Sequence, residues 1–196
     1  WGHWCTVAAN LDVSGDGAEA AAGTLANQKI LEDRGLTVLP VFHAGEPWEA
    51  LERYLDAGYR YIALGGLVGR PVPTIMAWLV RCYRMAEGRA VFHGFGLTSW
   101  APLRDLPWYS VDSSSWGSSY RYGQLRLFDD QRGRWVQASV GNHAELYAPQ
   151  VARLIRAHRY DPADFADRAR YTRERTCRIS AVAWWRAEQW VRDRHG

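Results

Sequence analysis

Short apolar runs alternate with segments of helical character through the first 112 residues, and this alternation constrains the fold more than any other feature of the sequence. Five runs have the length and the β-branched or aromatic content of strands: residues 6–13, 36–42, 61–66, 90–96 and 108–112. The helical segments between them cover residues 17–35, 47–58 and 73–88, and each ends at a glycine. Near-continuous apolar strands joined by helices predict a parallel sheet covered by helices.

The carboxyl ends of these runs carry polar residues or glycines. They are Asp12, His43, Gly65–Gly66, His93–Gly94 and Asp112. The strand ends of a (β/α)8 barrel converge on one mouth, where barrel enzymes place their catalytic groups. No dinucleotide-binding fingerprint opens the first strand–helix turn, so a barrel is favoured over a doubly wound sheet. Five strands do not close an eight-stranded barrel, so the chain is expected to be the C-terminal part of one, lacking the first three strands. An open sheet is the alternative.

The length of 196 residues and the hydrophobic content of 47% predict a single domain. Residues 1–123 are expected to form the partial barrel, residues 124–140 a β-hairpin, and residues 144–196 a helical extension. No run approaches the roughly 18 apolar residues that span a bilayer, so a soluble, cytoplasmic protein without membrane contact is expected. The three cysteines are odd in number and far apart, so neither disulfides nor a metal site is expected.

Basic residues concentrate in the second half of the chain. Residues 99–196 hold 16 basic and 11 acidic side chains, against 8 and 10 in residues 1–98. Five arginines surround one glutamate in residues 168–178, and the nucleic-acid contacts predicted from this cluster are Arg168, Arg170 and Arg173. A solvated helix face is the alternative interpretation.

Asp112 is the strongest catalytic candidate. It ends the run "WYSVD" and precedes three serines, and a carboxylate at a strand end is rigidly held while it faces the cleft. It is therefore placed to act as a nucleophile or a base. An Asx turn with Ser114, or a helix N-cap, is the structural alternative.

Two stretches, "YIALGGLVGRP" and "HGFGLTSWAPLRDLPWYSVDSSSWGSSYRYG", resemble the tRNA-guanine transglycosylase superfamily, especially its compact deazaguanine-type members from phages and DNA-modification islands. The family's glycine loop reads GGLxVGE and its nucleophile motif DCVxPTRxxRxG. The nucleophile maps to Asp112, and the trailing RxG falls on Arg121 and Gly123, which adds Arg121 to the expected nucleic-acid contacts. The resemblance covers residues 7–140. Serines and Trp116 replace the PTR, and the zinc cluster of the tRNA enzymes is absent, so DNA and tRNA are both open as substrates.

The resemblance also implies a binding site for a guanine-type base. Asp12 would accept hydrogen bonds from N1 and the exocyclic amine of the base, and His43 would replace a base-contacting glutamine. The backbone of Gly65, Gly66 and Leu67 would approach the purine O6, and His93 would line the pocket wall. The alternatives from the residues alone are a structural histidine at position 43 and a tight strand–helix turn at the glycines.

The implied activity is base exchange on DNA or tRNA, in which guanine is replaced by a 7-deazaguanine such as preQ0 through a covalent intermediate on Asp112. No metal or cofactor is expected, and a protein partner or a homodimer is possible. The resemblance further implies a proton-transferring aspartate upstream of Trp1. Two alternatives stay open: a noncatalytic nucleic-acid-binding paralogue or partner subunit, and an unrelated barrel lyase or aldolase. An aldolase would need a Schiff-base lysine, but the only lysine, Lys29, lies in a helical segment.

Overall fold

A computed structural model of the protein describes residues 7–13, 17–167 and 170–195. The chain divides into two compact units, with the boundary between Ser113 and Ser114. The elements of the first unit are β1 (Ala8–Ala9), α1 (Ala18–Asp33), β2 (Val38–Leu39), β3 (Val41–His43), α2 (Trp48–Asp56), β4 (Tyr61–Gly65), α3 (Val72–Ala86), β5 (Val91–Gly94), α4 (Trp100–Asp105) and β6 (Ser110–Val111).

The first unit is built on parallel strands whose order follows the chain. A four-stranded sheet has the order β3-β4-β5-β6, and β1 pairs with β2 in a second, two-stranded sheet. Pro40 alone separates β2 from β3, and it has no N–H to donate. The Pro40 carbonyl accepts from the Ala63 N–H at 2.8 Å, while the Leu39 carbonyl accepts from the Asn10 N–H at 3.1 Å. The predicted run 36–42 is therefore one extended segment that bonds to β1 on one side and to β4 on the other, and the predicted mixed α/β fold with a parallel sheet is confirmed.

Helices α2 and α3 cover one face of this sheet. The ring of Phe42 stacks on Trp78 at 5.3 Å and packs against Trp48 at 5.6 Å, and Phe92 makes an edge-to-face contact with Tyr83 at 4.9 Å. Side chains alternate along a strand, so the residues next to Phe42 and Phe92 point to the opposite face. That second face carries the polar side chains of the strand ends.

The second unit combines a hairpin with helices. Its elements are a 3-10 turn (Ser115–Gly117), α5 (Ser118–Tyr122), β7 (Gln124–Asp129), β8 (Arg134–Ser139), α6 (His143–Leu146), α7 (Pro149–Ala157), α8 (Ala163–Ala166) and α9 (Arg173–His195). Strands β7 and β8 pair antiparallel, from Gln124↔Ser139 to Asp129↔Arg134, so the hairpin predicted for residues 124–140 is present. No helix in the described part of the chain has both the length and the apolar character needed to cross a membrane.

The core of the second unit lies between the hairpin and the helices that follow it. Fully buried side chains come from β7, α6, α7, α8 and α9: Leu125, Leu127, Leu146, Leu154, Ile155, Phe165 and Ile179. Asp129 ends β7 and is also fully buried. Its Oδ2 accepts hydrogen bonds from Gln150 and Arg153, each at 2.9 Å. Burial opposes ionisation of this carboxyl, but the hydrogen bonds from Arg153 and Gln150, together with the charges of Arg153 and Arg132, lower its pKa.

Candidate active site

The sheet register brings the predicted site residues to one edge. His43 pairs with Gly65 across β3 and β4. The Phe95 N–H then donates to the Leu64 carbonyl at 3.0 Å, and the Asp112 N–H donates to the Gly94 carbonyl at 3.2 Å. His43, Gly65 and Asp112 therefore occupy one row across the carboxyl edge of the sheet, because parallel strands end at the same side.

His43 lies between two carboxylates. Its Nε2 is 3.0 Å from Oδ2 of Asp12, and its Nδ1 is 3.3 Å from Oε1 of Glu46. The His43 backbone N–H also donates to Oε2 of Glu46 at 2.9 Å. The hydrogen bond that the His43 ring donates to Glu46 raises the pKa of His43 against the opposing effect of burial, and the charges of Asp12 and Glu46 raise it further. His43 consequently carries its positive charge over a wider pH range than a free histidine does.

Asp12 and His43, both predicted as base contacts, are thus partners of each other. Among the described residues, the hydrogen-bond and ion-pair partner of the Asp12 carboxylate is His43, and the Asp12 side chain is 40% exposed. Glu46, which sequence reasoning missed, has a side chain that is only 4% exposed. A carboxylate three residues after a strand-end histidine is the signal that points to it.

Gly65 leaves the space that the His43 ring occupies. A Cβ at position 65 would lie 2.7 Å from Cδ2 and 2.9 Å from Nε2 of His43, closer than side chains approach one another. Its φ is not in the left-handed region, so backbone conformation does not require glycine there. The structure therefore supplies a packing reason for Gly65 that is independent of any ligand.

Gly66 and Leu67 connect β4 to a turn at residues 68–69. Gly66 has a φ of 71°, which favours glycine, and Leu67 is 3% exposed. Arg70 donates through Nε to the Gly66 carbonyl at 2.8 Å and through a terminal nitrogen to the Ala44 carbonyl at 2.6 Å. Arg70, another residue that sequence reasoning missed, thereby fastens the turns that follow β3 and β4 to each other.

Asp112 follows β6 with its carboxylate 60% exposed. Oδ1 accepts a hydrogen bond from the Gly96 N–H at 2.8 Å and lies 3.6 Å from Nε2 of His93. The His93 side chain is 13% exposed, and burial lowers its pKa although the charge of Asp112 opposes the shift. The imidazole beside Asp112 is therefore neutral at pH 7.

His93 has two further polar neighbours that sequence reasoning missed. Its Nδ1 lies 2.6 Å from Oγ of Ser110, which in turn lies 2.7 Å from the Tyr61 hydroxyl. Ser110 is two residues before Asp112, so the period of two along a strand places both on one face. The spacing of two between Ser110 and Asp112 can be read from the sequence. The contact between Tyr61 and Ser110 cannot, because these residues are 49 positions apart and meet only through the register of the strands.

The predicted nucleic-acid contacts belong to the second unit, except that Arg168 lies outside the described residues. Arg170 pairs with Asp164 at 2.8 Å, and Arg175 pairs with the same carboxylate at 3.2 Å. Arg173 begins α9 and Arg121 lies in α5, both exposed to solvent. Part of the arginine cluster is therefore already matched by carboxylates within its own unit.

Among the described residues, no group of three or more histidine, cysteine, aspartate or glutamate side chains is arranged to hold a metal ion. Cys5, one of the three cysteines, lies outside the described residues. Comparison with models of protein families and with curated proteins finds no match. The function is accordingly inferred from the residues and their geometry.

Proposed function

We propose that the protein is a base-exchange transglycosylase that replaces guanine in a nucleic acid by a 7-deazaguanine, with Asp112 as the nucleophile. The observation that carries the proposal is the Asp112 carboxylate: it is exposed at the carboxyl edge of a parallel sheet, is held by the Gly96 N–H and lies beside a neutral histidine. The motifs around Gly65 and Asp112 supply the family resemblance. The strand order of the first unit is compatible with a (β/α)8 barrel, which we propose as the parent fold.

The exchange proceeds in two displacements at C1′ of the target nucleotide. A carboxylate oxygen of Asp112 attacks C1′ while the bond from C1′ to N9 breaks, and guanine leaves with the electron pair and takes up a proton from solvent. The incoming deazaguanine gives the proton of its own ring nitrogen to solvent and attacks C1′, which breaks the bond from C1′ to the aspartyl oxygen and restores the carboxylate. Two inversions retain the configuration of the sugar. The target base has to leave the stack to reach the carboxylate.

Asp12 and His43 are the proposed base-recognition pair. An ionised Asp12 can accept from the two donors on the edge of a guanine-type base, a pattern that adenine lacks. His43 holds the carboxylate in place through the 3.0 Å contact, and Glu46 supports His43 from its other ring nitrogen. DNA and tRNA remain alternative substrates in this proposal.

The test is to trap the covalent intermediate. Purified protein is incubated with guanine-containing DNA or tRNA, without an incoming base, and separated on a denaturing gel. The parent protein should form an adduct and exchange labelled guanine, and Asp112→Asn should lose both, with exchange falling by a factor of roughly 10³ or more. Asp105→Asn is the matched control, because Asp105 is paired with Arg104 at the end of α4, and it should behave like the parent.

Three results discriminate the proposal from its alternatives. Exchange by Asp112→Asn at the parent rate would place the nucleophile elsewhere. A parent protein that binds nucleic acid but forms neither adduct nor exchanged product would be the noncatalytic paralogue. A parent protein that does not bind nucleic acid at all would contradict both.

A further inference from the structure

Three side chains from three neighbouring strands form a hydrogen-bonded chain, and its last member, His93, lies beside Asp112. The Tyr61 hydroxyl lies 2.7 Å from Oγ of Ser110, and this Oγ lies 2.6 Å from Nδ1 of His93. The opposite ring nitrogen of His93 faces Oδ1 of Asp112 at 3.6 Å. The register pairs His93 with Ser110, so both side chains project from the same face of the sheet.

The direction of the protons along this chain is inferred from the carboxylate near its end. The Asp112 carboxylate is an acceptor, so it favours a hydrogen on Nε2 of His93. A neutral imidazole carries one hydrogen, so Nδ1 must then accept, and Ser110 is the donor. The Ser110 oxygen in turn accepts from the Tyr61 hydroxyl. Every donor in the chain therefore points towards Asp112.

Both contacts of the Asp112 carboxylate involve the same oxygen. Oδ1 receives the Gly96 N–H at 2.8 Å and faces His93, whereas no described residue donates a hydrogen bond to Oδ2. The hydrogen bond from the Gly96 N–H restrains the carboxylate, because rotation about the Cβ–Cγ bond would move Oδ1 away from this donor and from His93. The other oxygen is left to react.

We propose that Tyr61 and Ser110 are positioning residues: they fix His93 as the Nε2–H tautomer, so that His93 and the Gly96 N–H together hold Oδ1 of Asp112 and present Oδ2 to the sugar carbon. The catalytic consequence rests on the proposed function, whereas the tautomer is a property of the protein alone. Displacement of a nucleophile by about 1 Å lowers the reaction rate roughly 10²-fold, so residues that align Oδ2 with the sugar carbon can raise the rate by a similar factor.

The surroundings of His93 permit this role. Tyr61 faces it from β4, and Asp112 faces it from the end of β6; Phe95 packs against its ring at 4.6 Å. Asp112 is thus the charged group beside the imidazole, and the other neighbours described here are the ring of Phe95, Tyr61 and the hydroxyl of Ser110. Burial keeps the ring neutral at pH 7, as a fixed tautomer requires.

The first measurement uses the full chain labelled with ¹⁵N-histidine and needs no substrate. NMR should show His93 as the Nε2–H tautomer in the parent protein and as a mixture of tautomers in Ser110→Ala. Ser110→Thr restores the hydroxyl and should restore the single tautomer, and Tyr61→Phe should give a smaller change than Ser110→Ala. Ser99→Ala removes a hydroxyl that makes no capping hydrogen bond in the same unit and should change nothing.

The second measurement is the rate of adduct formation. Ser110→Ala should slow this covalent step roughly 10- to 100-fold with the KM for nucleic acid unchanged, and Ser110→Thr should recover most of the rate. An Nδ1–H tautomer in the parent, or an unchanged tautomer in Ser110→Ala, overturns the proposal whatever the enzyme does. The expected tautomers with a parent-like rate in Ser110→Ala also overturn it. The expected tautomers with no exchange by the parent overturn the proposed function and leave the tautomer assignment intact.

Discussion

Replacing Gly65 by alanine tests whether glycine is needed at this position to make room for the His43 ring or for a ligand. The new Cβ would lie 2.7 Å from Cδ2 of His43, so the ring has to move by close to 1 Å to reach an ordinary contact distance. Asp12 and Glu46 hold the ring from both nitrogens, so movement costs those contacts as well. Forcing extra volume into such a site costs about 1–3 kcal/mol of unfolding free energy.

The double-mutant cycle with His43→Ala isolates this effect. Once the ring is removed, the nearest atom to the new Cβ is Cγ1 of Val41 at 3.5 Å, an ordinary contact. Gly65→Ala should then be close to neutral, since its backbone conformation suits alanine. The expected coupling between the two positions is about 1–3 kcal/mol, the full steric cost.

The assay is urea unfolding followed by far-ultraviolet circular dichroism at pH 7. Gly117→Ala is the control, because nothing lies within 4 Å of its added Cβ and its φ is −85°. It should be near neutral in both backgrounds. NMR of His43 adds an independent readout, since its pKa should fall towards the ordinary value when the ring leaves Asp12. An equal cost of Gly65→Ala with and without the His43 ring would refute the packing explanation and favour a glycine kept open for a ligand.

Further predictions concern charge. Folding raises the pKa of His43, so the contribution of its charged form to stability is complete below the ordinary pKa of 6.5 and is lost as the pH rises through the folded value. The difference in unfolding free energy between the parent and His43→Gln, measured by urea titration, should therefore narrow as the pH rises. The pKa of Asp129 is lowered, so Asp129→Asn should cost about 1–3 kcal/mol at pH 7, and this gap should close in acid as the pH falls through the folded value. Reversing Arg121 and Arg173 to glutamate should weaken nucleic-acid binding and flatten its dependence on salt, while Lys29→Glu, an exposed reversal in the first unit, should not; an unchanged salt slope would assign both arginines to a solvated face.

Sequence periodicity located the strands of the first unit but not their bounds: the run predicted at residues 6–13 holds a strand only at Ala8–Ala9, and α4 was not predicted. Asp12, His43 and Asp112 could be predicted at one edge because parallel strands joined by helices all end on the same side of a sheet. The partners of these residues could not, since they depend on register and side-chain direction. His43 and Asp12 are 31 residues apart in the sequence, and no sequence pattern indicates that their side chains pair with each other. Pro40 lies within a predicted strand but does not end the extended segment, because proline lacks only its backbone N–H and its carbonyl still accepts a hydrogen bond.

The order of the strands has a consequence for how the first unit folds. Partner residues in the parallel pairs are only 17 to 30 positions apart, and a single helix lies between the two strands of each pair. Closures of this length cost less chain entropy than pairings between more distant parts of the unit would. The Asp12–His43 pair can form once β3 is in place, whereas the contacts of Asp112 with Gly96 and His93 require β6. A chain in which β6 has not docked would therefore have the Asp12–His43 pair but lack the contacts of Asp112 with Gly96 and His93.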